Sequence, residues 1–130
     1  MIVMMDTNIC SSLIRKKDIK RIHWALSHRP GELGISVIVL CELEYGVAHS
    51  SDPTRNALAL MQFLAPIEIA NYESGIGVVY GRIRHELRNM PIGPMDMLIA
   101  AHALYLGVEL ATDNHKEFRR VNGLKLAKIP

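Results

Sequence analysis

The chain has 130 residues, 49% of them apolar, and a net charge of +2. That length suits a single domain spanning residues 1–130, and the apolar share is too high for a disordered chain. No run of about eighteen uncharged apolar residues exists to cross a membrane, and the Ile2–Met5 run lacks the basic flank and length of a signal peptide.

Strand and helix signals alternate along the chain, as in α/β folds. Ile2–Met5 reads as a buried strand, followed by a helix over Thr7–Ile14 with Asp6 at its N-cap. Asp18–Ser27 is a second helical stretch, with Ile19, Ile22, His23 and Leu26 on one face, and Pro30-Gly31 breaks it. Leu33–Ser36 reads as a strand and Val37–His49 as a mostly apolar helix. Asp52-Pro53 marks a strong helix start. That helix is expected to turn Leu58, Met61 and Leu64 inward and to end at Pro66. Ile67–Ile69 is a third strand. Ile76, Val79, Tyr80, Ile83 and Leu87 then follow the helical period. Met90–Pro94 is a break, Met95–Leu106 a buried helix closed by Gly107, and Val108–Ala111 a fourth strand. A short helix over Asn114–Arg120 and a fifth, edge strand at Leu124–Leu126 complete the pattern. Cys10 and Cys41 lack metal-site spacing, so a reducing cytoplasm is the expected compartment.

Four acidic positions stand out in this frame. Asp6 and Asp113 each follow a strand signal, Asp96 opens an apolar helix, and Glu42 or Glu44 must face inward from another. In parallel sheets ligands bind beyond the carboxyl ends of the strands. Acids gathered there without Lys or Arg suit a hard cation such as Mg²⁺, with Mn²⁺ as an alternative, and point to phosphodiester chemistry. Asp6, Asp96 and one of the two glutamates are therefore expected within reach of one ion. Each acid also has a plainer reading. Asp6 and Asp96 suit helix starts, one of the two glutamates is an ordinary surface residue, and Asn114 with Glu117 resembles a capping box. His102, on an apolar helix, reads as a hydrogen-bonded core residue. His115–Pro130 carries five cations against Glu117 alone, a net +4 that leaves −2 for the rest of the chain. It reads either as a solvated surface or as a rim for nucleic-acid phosphates.

The segments MDTN, CELEYG, IGPMDMLIAAHAL and LATDNHKEF followed by RRVNGL together resemble the PIN-domain ribonucleases. Within these they resemble the VapC toxins of bacterial type II toxin–antitoxin pairs. The resemblance spans nearly the whole chain and keeps the motifs in order. It implies a PIN-like three-layer α/β fold, with a twisted parallel sheet of about five strands and helices on both faces. It also implies a toxic, Mg²⁺-dependent endoribonuclease acting on structured RNA such as tRNA. A cognate VapB-like antitoxin and a homodimer are further expectations. Carried over by residue, Asp6, Glu42 and Asp96 become the core metal-binding acids, which selects Glu42 over Glu44. The fourth acidic position departs from the family pattern. Asn114 and Glu117 match the usual pair, while Asp113 is an additional acid. Both Asp113 and Glu117 are retained as catalytic candidates, Asp113 also as a metal ligand, with Thr7, Asn8, Thr112 and Asn114 as auxiliary polar groups.

Two rival readings remain at this stage. A haloacid-dehalogenase-like phosphatase also places an Asp after its first strand, but it needs a second Asp two residues on, where this chain has Asn8. A catalytically silent PIN-like module that only holds a partner would not need a full set of acids.

Overall fold

A computed structural model describes residues 1–130. Four short strands form one parallel sheet: β1 (Val3–Met5), β2 (Leu33–Ser36), β3 (Glu68–Ala70) and β4 (Glu109–Ala111), in the order β3-β2-β1-β4. The central strands are buried on both faces, which explains why VMM and LGIS read as unbroken apolar runs rather than alternating ones. Val3 pairs with Leu33 on one side and with Glu109 on the other, and Gly34 pairs with Glu68. Gly34 sits where strands β2 and β3 and the N-terminus crowd together. A Cβ there would come within 2.8 Å of the Glu68 carbonyl and still nearer the Met1 side chain.

Seven helices join the strands: α1 (Thr7–Arg15), α2 (Ile19–Leu26), α3 (Val37–Ala48), α4 (Pro53–Leu64), α5 (Ile76–Glu86), α6 (Pro94–Leu106) and α7 (His115–Phe118). The chain steps from β1 to β2 to β3 in one direction and then jumps back to β4. Right-handed crossovers therefore place α1–α4 on one face and α5–α6 on the other. The packing agrees: α1, α3 and α4 touch one another, and α5 lies along α6. Met4, Met5, Ile9, Ile35, Val39, Ile76, Ile83, Ile99, Leu110 and Phe118 form the fully buried centre.

Three sequence expectations need correction. Leu58 and Met61 do not face inward; they are 51% and 63% exposed, while Leu60 is buried and Phe63 and Leu64 are partly buried. Helix α4 packs through one apolar row and leaves its second row open. The expected fifth strand shrinks to a single parallel bridge, Leu110 with Leu126. The Leu124 amide is committed to a turn onto the Val121 carbonyl, so only Lys125 and Ala127 bond to Leu110. Helix α7 is one turn, not seven residues, because Arg120 and Val121 donate to Glu117 and Phe118 in tighter turns. The apolar stripe of α2 meets the core only at its middle, where Ile22, Trp24 and Ala25 are partly buried. Ile19 and Leu26 are exposed, and the helix buries none of its residues.

Candidate active site

Strands β2 and β4 flank β1, and the connection reverses between β1 and β4. This is the switch point at which ligands bind in open α/β sheets. Asp6 leaves β1 there and Thr112 leaves β4 beside it. Asp6 is only 5% exposed. Its Oδ1 accepts from the Ile9 amide at 3.0 Å as the N-cap of α1, and its Oδ2 accepts from the Thr112 hydroxyl at 2.5 Å. Its own amide donates to the Ala111 carbonyl, which locks the two strand ends together. Capping and site geometry thus coexist in one carboxylate. Burial raises the Asp6 pKa against these bonds, and the negative charges of Asp113 and Glu42 push in the same direction.

Asp96 lies in the first turn of α6, but Gly93 is the N-cap and makes no side-chain cap bond. A capping role therefore leaves the Asp96 carboxylate unexplained. Its pKa is pushed up to about 6, first by burial and then by the charges of Asp6, Glu117 and Glu42. That coupling links four of the sequence-selected acids in one electrostatic field. The plain helix-start reading does not predict it.

Helix α3 settles which glutamate turns inward. Glu42 is half-buried and its Oε1 accepts from the Thr7 hydroxyl at 2.5 Å, whereas Glu44 is exposed. Ser36 starts this helix by accepting from the Ile38 amide at 3.1 Å. The same Ser36 oxygen lies 2.7 Å from Nδ1 of fully buried His102 on α6. Burial holds that imidazole below its ordinary pKa, so it is neutral. His102 is the hydrogen-bonded core residue expected from its apolar helix, and it ties the helix bearing Asp96 to the start of the helix bearing Glu42.

The turn after β4 differs from its sequence reading. Asn114 does not cap α7 through its side chain; its Nδ2 donates to Glu117 Oε2 at 2.9 Å instead. Its amide donates to Thr112 Oγ1 at 2.9 Å, so Thr112 both holds Asp6 and shapes this turn. Asp113 points away into an end-on pair with Arg21, at 3.0 and 2.9 Å. No sequence signal marks Arg21, because its partner lies 92 residues away. Asn8 is exposed on the first turn of α1, and Cys10 is fully buried, as its apolar context suggests.

Asp6, Glu42, Asp96 and Glu117 take part in none of the ion pairs of the protein. They are four hard oxygen donors without a cation, which fits a hard divalent ion better than a thiolate or imidazole metal. The acids feel one another's charge, yet no three His, Cys, Asp or Glu side chains stand close enough to hold an ion unaided. Beside Glu42 a cleft of about 250 Å³ runs between α1, α3 and α4, past Thr7, Ser11 and Asn56. Lys116, Arg119, Lys125 and Lys128 are exposed on the C-terminal segment.

Residues 3–124 match the PIN domain family. The chain is 36% identical to a tRNA(fMet)-specific endonuclease VapC of Shigella flexneri, covering 94% of this chain and 93% of that one. It is 40% identical to ribonuclease VapC2 of Rickettsia felis, over 97% and 96% of the two chains. Among solved structures, it matches a chain of the Rickettsia felis VapBC2 complex bound to a promoter DNA fragment, with a TM-score of 0.91, 36% identity and full coverage of both chains. The DNA-bound VapBC of Salmonella typhimurium gives a TM-score of 0.87 at 34% identity, covering 96% of each chain. With the acids placed at the switch point of the same fold, this chain belongs to the PIN-domain family, among the VapC ribonucleases.

Proposed function

We propose that the protein is a metal-dependent endoribonuclease toxin that hydrolyses phosphodiester bonds in structured RNA and is restrained by a cognate VapB-like antitoxin. The carrying observation is the unpaired acid cluster at the switch point, with Asp6 buried and Asp96 raised to about 6. Asp6 and Asp96 would hold Mg²⁺, with Mn²⁺ as a substitute. A bound divalent ion supplies Lewis-acid polarisation of the phosphoryl oxygen and a more acidic water. Glu42 is oriented by Thr7 through Oε1, which leaves Oε2 free to take the proton of the attacking water. Thr112 keeps Asp6 in register with the β4 turn, and Asn114 steadies Glu117. The exposed C-terminal cations would hold phosphates without reading sequence. The names of the relatives support this reading, and a tRNA substrate follows the printed name of the Shigella flexneri protein.

An antitoxin helix has a fitting place to dock. A groove of about 620 Å³ runs between α1, α2 and α4, lined by Ile22, Ala25, Leu26, Phe63 and Ile67. Its apolar lining suits an amphipathic helix, and an arginine elsewhere in the same partner would suit the acids at the carboxyl ends of the strands. Self-association is also proposed, since Val78, Tyr45 and Met61 are large apolar groups left exposed. Light scattering over a concentration series tests it, with a dimer expected and a persistent monomer counting against it. No helix is long and apolar enough to cross a membrane, which is compatible with the proposed cytoplasmic location.

The deciding experiment is RNA cleavage in Mg²⁺ by the wild-type chain and by Asp6→Asn. Cleavage that vanishes in the variant and on chelation supports the reading. Cleavage that persists in Asp6→Asn would refute it. The phosphatase alternative gains nothing from the structure, because Asn8 occupies the position where that chemistry needs an acid. A silent partner-binding module would bind the antitoxin and cut no RNA.

A further inference from the structure

Asp113 follows β4 as Asp6 follows β1, and its sequence position made it a candidate ligand. In the structure both of its carboxylate oxygens are engaged by one guanidinium, Arg21 Nη1 at 3.0 Å and Nη2 at 2.9 Å. A cation added to Asp113 would sit beside an existing positive charge, which disfavours it unless the pair first breaks. Arg21 is not a loose surface arginine. Its side chain is 12% exposed, and Nη2 also donates to the Pro130 carbonyl at 3.0 Å. Its Nε is buried without a partner. A guanidinium desolvated to this degree is set in place rather than free to sweep over bound RNA.

The residues on either side of Asp113 both contact the acid cluster. Thr112 donates to Asp6, and Asn114 donates to Glu117. We infer that Asp113 is a positioning residue rather than a metal ligand: the Arg21–Asp113 pair clamps α2 and the C-terminal segment onto the turn after β4, and thereby sets Thr112 and Asn114 against the acids. Resting on the nuclease reading, this assigns the fourth acidic role to Glu117 and gives Asp113 a mechanical one. It also links the site to the groove, because Arg21 adjoins Ile22 on the helix that forms one groove wall.

The test compares Arg21→Met, Asp113→Asn, the double variant and the charge exchange Arg21→Asp/Asp113→Arg. Three quantities are measured: Mn²⁺ affinity by titration calorimetry, RNA turnover, and amide hydrogen exchange across residues 112–117. A clamp makes the two single variants alike. Each should slow turnover about tenfold, within the ~10²-fold cost of a 1 Å misplacement. The double variant should be no worse than either single one, and the exchange should recover part of the loss. Mn²⁺ affinity should weaken alike in the two single variants, by no more than the roughly 10–100-fold seen when groups that orient metal ligands are disturbed. Exchange across 112–117 should quicken in both single variants.

A ligand role predicts opposite signs. Asp113→Asn would weaken Mn²⁺ binding, while Arg21→Met, which frees the carboxylate, would tighten it; that pattern overturns the clamp. Loss of turnover in Arg21→Met alone would instead show Arg21 acting on RNA, and would also overturn it. If the wild-type chain neither binds Mn²⁺ nor cuts RNA, the nuclease reading fails by itself. The exchange measurement still decides the clamp, which is refuted by unchanged exchange in both single variants.

Discussion

The turn after β1 and the turn after β4 lie side by side, and each presents an aspartate just beyond a buried strand. Asp6 is 5% exposed and bonded only to an amide and a hydroxyl, whereas the Asp113 side chain is 57% exposed and paired with Arg21. The difference arises from the neighbours. Asp6 emerges between two strands, β2 and β4, and beneath α1. Asp113 emerges two residues after β4, past Thr112, where α2 and the C-terminal segment approach from outside. A strand-end aspartate thus acts as a charged centre or as an anchor according to what the rest of the chain brings to it.

The largest contrast between the two turns should appear in activity. Asp6→Asn is expected to lower RNA turnover by about 10³-fold or more, about 4 kcal/mol of barrier, with Mg²⁺ binding weakened. The fold should survive, because asparagine keeps the N-cap acceptor for Ile9. Single-turnover cleavage with circular dichroism as a folding control measures both. Equal losses in Asp6→Asn and Asp113→Asn would erase the distinction between the turns.

Stability should separate the turns next. Thr112 is fully buried, donates to Asp6 and accepts from Asn114. Thr112→Val leaves both partners unanswered and is expected to reduce stability by about 1–3 kcal/mol. Asp113→Asn neutralises the exposed half of its pair and keeps an oxygen that can accept from Arg21, so it should change stability by less than about 1 kcal/mol. Urea unfolding of the metal-free proteins reads both, and the reverse ranking would mean that the outer clamp bears more of the fold than the inner hydroxyl.

The sequence revealed the two turns unequally. The parallel α/β architecture, all four strands and the existence of every helix follow from apolar runs, caps and breakers such as Asp52-Pro53 and Gly107. The switch point is a matter of strand order, which periodicity alone does not supply and the sheet itself shows. Glu42 is indistinguishable from Glu44 by spacing; the family resemblance selects it, and the Thr7 contact and its half-burial in the structure agree. The Arg21–Asp113 and Ser36–His102 contacts leave no local trace because the partners are 92 and 66 residues apart. Leu58 and Met61 were misplaced because a helix with two apolar rows gives no local sign of which row meets the core.

Asp96 extends the comparison to pH. Its folded pKa of about 6 exceeds its ordinary value of 3.8, chiefly through burial. The native state therefore binds this proton more tightly than the unfolded chain does. The associated stabilisation is full below about 3.8 and is lost as pH rises through about 6. At neutral pH the metal-free protein carries a penalty of about 1–2 kcal/mol after allowance for solvent around a half-exposed group. Asp96→Asn should accordingly raise the Tm at pH 7.5 and leave it unchanged at pH 3.5. Mg²⁺ should stabilise the wild type more at pH 7.5 than at pH 5, where protons compete for the same oxygens. A Tm for Asp96→Asn below wild type at both pH values would mean that the carboxylate holds the fold together and is not a strained ligand.

The smallest effect on stability belongs to the groove. The acid cluster hides its polar groups, whereas α2 leaves Leu26 76% exposed. Burial of that side chain contributes little to folding, so Leu26→Ser should shift stability by no more than about 0.5 kcal/mol. Its contribution to docking is another matter. Leu26 lies with Ile22 and Phe63 in the groove wall, where an incoming apolar helix would desolvate all three. Truncating one buried anchor of such an interface is expected to weaken binding by about tenfold or more. The probe is the cognate antitoxin, titrated against wild type and Leu26→Ser, with thermal melting run in parallel. Unchanged affinity alongside unchanged stability would move the partner off this groove. Lost affinity at constant stability would show that a helix of little value to the fold is kept apolar for a partner, in contrast to the buried hydroxyl of Thr112, which serves the fold and the site together.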